Sequence, residues 1–102
     1  MSAYGLNVLF FTKTDIVIPS VAASTTVEIA LTGLSGVNLG DTGYVVPSAA
    51  PIVGFTFPYF RGTGVGTGVV GVTNFTAGAL DPADTMDFTV VVNPKGVVTA
   101  AV

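Results

Sequence analysis

Histidine and cysteine are both absent from these 102 residues, so any chemistry rests on carboxylates, hydroxyls and three cations. Their absence removes the commonest general base, the commonest transition-metal ligand and every disulfide or thiolate site. Four acidic positions near turn signals, Asp41, Asp81, Asp84 and Asp87, come closest to a cation site. Calcium takes about six to eight oxygen ligands, and Asp81-Pro82-Ala83-Asp84 offers two carboxylates without the ligand ladder of an EF-hand. Asp and Pro are preferred turn formers, and a turn is what this segment predicts. No cofactor is expected.

The other reactive patterns fail on missing partners. Gly62-Thr63-Gly64-Val65-Gly66-Thr67-Gly68 looks like a phosphate loop but has neither the lysine nor the following helix that such a loop needs. It predicts a flexible or tightly turning loop. Ser20, Ser24, Ser35 and Ser48 have no histidine to activate them, and Lys13 and Lys95 lie near opposite ends of the chain. A glycosidase carboxylate pair would need a substrate cleft, for which a domain this small has hardly any room. Asn74-Phe75-Thr76 is a glycosylation sequon by letter, of no weight without a secretory signal. An enzyme is not expected, nor a small-molecule substrate.

The aromatic cluster is more informative. In residues 52–60, alternation would place Phe55, Phe57 and Tyr59 on one strand face, with Gly54, Thr56 and Pro58 opposite. Strand aromatics usually line a core, and that is the expectation for these three. The alternative is a glycan contact made by Phe55, Phe57, Tyr59 and Arg61. Pro58 cannot donate to a ladder, so this strand should lie at an edge or bend there.

The elements that must position these residues are strands. No helix-period pattern of any length occurs, and 13 glycines and 6 prolines punctuate the chain. Strands are expected over residues 5–11, 15–18, 25–31, 43–46, 52–60, 68–75, 86–92 and 97–101. In residues 25–31, Val27, Ile29 and Leu31 face one way and Thr26, Glu28 and Ala30 the other. Met86, Phe88, Val90 and Val92 repeat the pattern, with Asp87, Thr89 and Val91 opposite. Turns fall at 33–40, 47–51, 61–68, 77–84 and 93–96. The fold class that follows is all-β: one antiparallel β-sandwich or jelly-roll-like domain of seven or eight short strands, spanning residues 1–102.

Composition then bears on partners. Half the residues are hydrophobic and 9% are charged, against roughly 25% charged in a typical soluble domain. A fold of this size cannot hide that much apolar surface, and exposed apolar patches mark interfaces. Three scattered cations and a net charge of −3 argue against nucleic acid and anionic membranes. No apolar run approaches the ~20 residues of a membrane span. The N-terminal residues 1–24 have no basic region, and Asp15 and Pro19 interrupt the apolar stretch, so no signal peptide is expected. The terminal segments 1–11 and 97–102 are apolar and strand-like, which points to contacts with another chain, of the same or a different kind, through Leu9, Phe10, Phe11, Val97, Val98 and Val102.

The order of features resembles small β-sandwich proteins of tailed bacteriophage particles. The residues that carry the likeness are a Ser-Val-Ala-Ala-Ser-Thr-Thr segment (20–26), a Gly40-Asp41 turn before Tyr44-Val45-Val46-Pro47, and a late segment (70–92). That segment holds a valine-rich run, then Asn74-Phe75-Thr76-Ala77-Gly78-Ala79-Leu80-Asp81-Pro82 and a final strand. The resemblance implies a capsid decoration (cement) protein, a homotrimer on the outer surface of the virion that bridges major capsid proteins. It would be made in the host cytoplasm. A carbohydrate- or receptor-binding module of a head fibre or tail is the alternative. The family has no catalytic residues to carry over, and this chain lacks basic residues on its late strand.

Overall fold

A computed structural model describes residues 8–48, 53–81 and 85–94 of the chain. Its elements are β1 (Leu9–Val17), β2 (Thr25–Leu31), β3 (Thr42–Pro47), β4 (Phe55–Thr56), β5 (Phe60–Gly64), β6 (Thr67–Asn74) and β7 (Thr85–Asn93). All pairings are antiparallel, in the order β1-β7-β3-β5-β6-β2, with β4 also on β6. Over the described residues the molecule is all-β, a seven-stranded sheet curled on itself as in a small sandwich or barrel-like domain.

Period-2 alternation explains the curl. Val70 and Val72 of β6 and Phe88, Val90 and Val92 of β7 are fully buried; Val70 meets the β7 trio in one core cluster, and Val72 meets Met86 of β7 in a second. Among the described residues the ladders of the two halves, β1-β7-β3 and β5-β6-β2, join only where Thr42 pairs with Arg61 and Gly43 with Phe60. So narrow a join lets one half fold over the other. Gly43 stands at the join, paired also with Val92, and a Cβ there would lie 2.0 Å from the Val91 carbonyl oxygen.

Loops plug the two ends. Leu34 and Val37 are fully buried, and their loop is tied to the β5–β6 turn by Leu34 N–H to Gly66 O (2.9 Å) and Gly66 N–H to Val37 O (2.9 Å). At the other end Ile18 and Val21 fill the core beside Phe55, Val72 and Met86, and Val21 pairs with Leu80. Phe57 touches both core clusters and lies 5.9 Å from Phe88, ring centroid to centroid.

Several strand expectations change. The strands expected over 15–18 and in the described part of 5–11 are one strand, because Thr12 and Lys13 stay in the ladder with β7. A bulge follows at Asp15, whose φ is 54° and whose N–H donates to Asp87 Oδ1 at 2.8 Å. The side chain of Asp87 thus satisfies the donor that the bulge frees from the ladder. The strand expected over 52–60 breaks at Pro58, and the turn expected over 61–68 narrows to Val65 and Gly66 at the tip of the β5–β6 hairpin. The strand expected over 97–101 lies outside the described residues.

Candidate functional site

The break at Pro58 decides where the aromatics go. Thr56 pairs with Thr73, but Phe60 pairs with Val70, so one extra residue is inserted between β4 and β5. That insertion reverses the alternation, as a bulge does. Phe55 and Phe60 are buried and Phe57 is half-buried against the core, whereas Tyr59 turns to the outer face. The expectation that Phe55, Phe57 and Tyr59 share one face is therefore corrected: Pro58 cannot donate to the ladder, and the chain slips register there.

On the outer face Tyr59 meets charge. Its hydroxyl donates to Glu28 Oε2 at 2.7 Å, and Arg61 grips the same carboxylate through Nε to Oε2 (2.9 Å) and Nη2 to Oε1 (2.8 Å). Gly71, between β2 and β5 on β6, makes room: a Cβ there would sit 2.5 Å from the Tyr59 ring. The bond from Arg61, then that from Tyr59, holds the Glu28 pKa below its ordinary value. The same bond to Glu28 raises Tyr59, which partial burial pushes further, and it raises Arg61 as well. Thr26 and Thr73 share a hydroxyl hydrogen bond of 2.7 Å in the neighbouring row. The Glu28–Arg61 pair is partly exposed and braces β2 to β5 across β6.

The outer face of β1-β7-β3 is different. Phe10 and Tyr44 both stand opposite Val91, and Thr12 and Val46 both stand opposite Thr89. Phe10 is 68% exposed, Tyr44 52% and Val46 47%, while Val91 between the two rings is only 5% exposed. Leu9 and Phe11, expected at an interface with Phe10, instead point inward against the main core cluster. One-residue alternation separates them from Phe10. Val97, Val98 and Val102 lie outside the described residues.

The ends of the fold carry further exposed apolar residues. Leu39 and Val65 project at the β5–β6 turn, and Val53 and Phe75 at the opposite end. β6 connects these ends, and its eight residues at ~3.4 Å each set them roughly 24 Å apart.

The expected cation residues do not converge. Asp41 is buried and accepts the Asn38 N–H at 2.9 Å, closing its own turn. Asp81 is exposed at one end, Asp87 serves the β1 bulge, and Asp84 lies outside the described residues. No group of three metal-ligating side chains occurs among the described residues. Asn74 of the sequon is fully buried. Its Nδ2 donates to Val21 O (3.0 Å) and Gly78 O (2.9 Å), and its Oδ1 accepts from Thr76 N (2.8 Å) and Thr76 Oγ1 (2.7 Å). An amide so engaged has no room for a glycan; it fastens the end of β6 to the segments that close the barrel there.

Sequence reasoning overlooked Glu28, which appeared only as the polar side of an alternating strand. No local signal marks its pairing with Arg61, 33 residues away. No protein-family model, curated protein or solved structure gives a significant match to this chain.

Proposed function

We propose that this chain is a non-catalytic structural subunit of a phage virion, a capsid decoration protein that attaches to the outer shell and bridges major capsid proteins. The observation that carries the reading is the distribution of exposed apolar side chains. They occupy three separate regions: the β1-β7-β3 face and both ends of the sheet. A bridging subunit needs more than one sticky surface, and an isolated monomer gains nothing from three. The low charge and the sequence resemblance to small phage β-sandwich proteins support the same role, with a homotrimer as the attached form. Multivalent attachment would let individually modest contacts hold.

The test is the copy number of this chain in purified particles, relative to the major capsid protein. Comparable numbers are expected. A handful of copies would move the chain to a tail or fibre, and absence from particles would overturn the assignment.

One observation favours a second reading, a glycan- or receptor-binding module. Tyr59, Arg61 and Glu28 form a prearranged polar group beside an aromatic ring on an open face. Phe55, once in that set, is in the core, and Phe57 packs against it. A glycan array with wild type and Tyr59→Ala decides: binding lost in the variant supports it, and an array without hits removes it.

A further inference from the structure

We infer that the open edge of β2 accepts an extended strand, residues 97–102, from a neighbouring copy of the chain, an exchange that rests on the oligomeric form proposed above. The direction of the backbone groups is the first argument. Gly71 N–H donates to Tyr59 O at 2.9 Å, on the β5 side of β6, and Glu28 of β2 stands opposite Gly71. Residues opposite each other in an antiparallel pair turn their N–H and C=O groups either toward one another or both away. Those of Glu28, and of Thr26 and Ala30 two residues to either side, therefore point away from β6. On that side β2 has no neighbouring strand among the described residues. Thr32 O belongs to the same row, and Lys13 Nζ already donates to it at 3.0 Å. The open stretch is Thr26–Ala30.

The two edges of the sheet are not alike. β1 is broken by the bulge at Asp15, and Pro19 follows it. β2 pairs with β6 without a slip from Thr25 to Leu31 and holds no proline. Its one charge, Glu28, is drawn over β6 by Arg61 and Tyr59 and does not guard the edge. Bulges, prolines and charges keep an edge from pairing, and a regular edge without them is a template for another strand. An added strand would also cover Val27 and Ile29, which are only half-buried against the core.

The occupant follows from sequence and reach. Val97-Val98-Thr99-Ala100-Ala101-Val102 carries no charge and is β-branched at 97, 98, 99 and 102. It follows β7, which finishes at the same end of the fold as β2: Val92 pairs with Leu9, and a Cβ on Gly36, in the loop after β2, would lie 3.2 Å from Leu9 Cδ1. The β2 edge of the same chain is too far. β1 lies next to β7 in the other half, so the chain would have to pass round β1 and cross the ~10 Å between packed layers, whereas Pro94, Lys95 and Gly96 at ~3.3 Å each span ~10 Å in all. A neighbouring copy has no such limit. Each copy then gives one strand and receives one, a head-to-tail contact that closes into a ring such as a trimer.

The experiment is mass by light scattering after gel filtration, on the full chain and on Ala30→Pro and Thr99→Pro/Ala100→Pro. Ala30→Pro removes an N–H that faces the open edge and none that the β2–β6 ladder uses, so it blocks the acceptor and spares the fold. Thr26→Pro, in the same row, takes its place if circular dichroism shows that Ala30→Pro does not fold. Consecutive prolines at 99 and 100 block the donor whichever side the strand turns to β2. The wild type is expected at about three times the chain mass and each variant alone at the chain mass. An equimolar mixture of the two variants should reach about twice the chain mass, since one keeps its donor and the other its acceptor. A monomeric wild type, a folded variant that assembles as the wild type does, or a mixture that stays monomeric overturns the inference. Copy number on particles is read independently: a monomer abundant on the shell would sink the exchange and leave the decoration role standing, and an exchanged ring absent from particles would do the reverse.

Discussion

β7 and β6 occupy equivalent places, each the central strand of its half of the sheet, and their inner sides are alike. Val90 and Val92 on one answer Val70 and Val72 on the other. Their outer sides diverge through one kind of substitution. β7 presents Thr89 and Val91, with Phe10 and Tyr44 on either side of Val91, and both rings are exposed. β6 presents Gly71 between Val69 and Thr73, and without a Cβ there Tyr59 lies down over the strand and reaches Glu28. The same core thus supports an exposed apolar surface and a surface tied up in its own hydrogen bonds.

The largest effect is expected where the halves join. Gly43→Ala would place a methyl 2.0 Å from the carbonyl oxygen of Val91, a backbone atom held in the β3–β7 ladder. Neither side can give way without losing the pairing to β7 or to β5. Destabilisation of ~3 kcal/mol or more is expected in denaturant titration. A variant within ~0.5 kcal/mol of wild type would mean that the two halves are not coupled through this residue.

Gly71→Ala acts on one half alone. The added methyl would displace the Tyr59 ring, a side chain on a partly exposed face, so the cost should be ~1–2 kcal/mol. Thr89→Ala, at an outward position on β7, should cost less than ~1 kcal/mol, the range of one cross-strand pair. Equal losses would erase the distinction between a face locked by its own contacts and one left open.

How much of this is legible in sequence depends on whether the signal is local. Residues 25–31 and 86–92 announce their strands and inward sides because alternation runs through them unbroken. Pro58 warns of a bend, but which way Tyr59 turns depends on a register slip of one residue against β6, and that is set by pairing. Thr12-Lys13-Thr14 interrupts the apolar pattern between two expected strands, and it is strand because β7 pairs with its first two residues. Glu28 and Arg61 meet only because β6 holds β2 and β5 on either side of it, a topological fact with no imprint on neighbouring residues. The apolar composition forecasts exposed hydrophobic surface, while the fold alone selects Phe10 and turns Leu9 and Phe11 inward.

The smallest effect should come from acid, and it isolates the polar face. Glu28 ionises more readily in the folded chain than in the unfolded one, because Arg61 and Tyr59 bind its carboxylate form. A depressed pKa adds stability that is present above the ordinary glutamate range and is lost as pH falls through it toward the folded value. Tyr59 has the opposite sign: its raised pKa contributes below the ordinary tyrosine range and fades as pH rises through the folded value. Glu28→Gln removes the carboxylate from both linkages. Melting temperature followed across the acid range should therefore fall less steeply for Glu28→Gln than for wild type, and the alkaline limb should flatten too. Parallel acid limbs for the two proteins would mean that the bonds to Arg61 and Tyr59 are too loosely held in water to favour the folded carboxylate, leaving Gly71 and the Tyr59 ring to hold that face by packing alone.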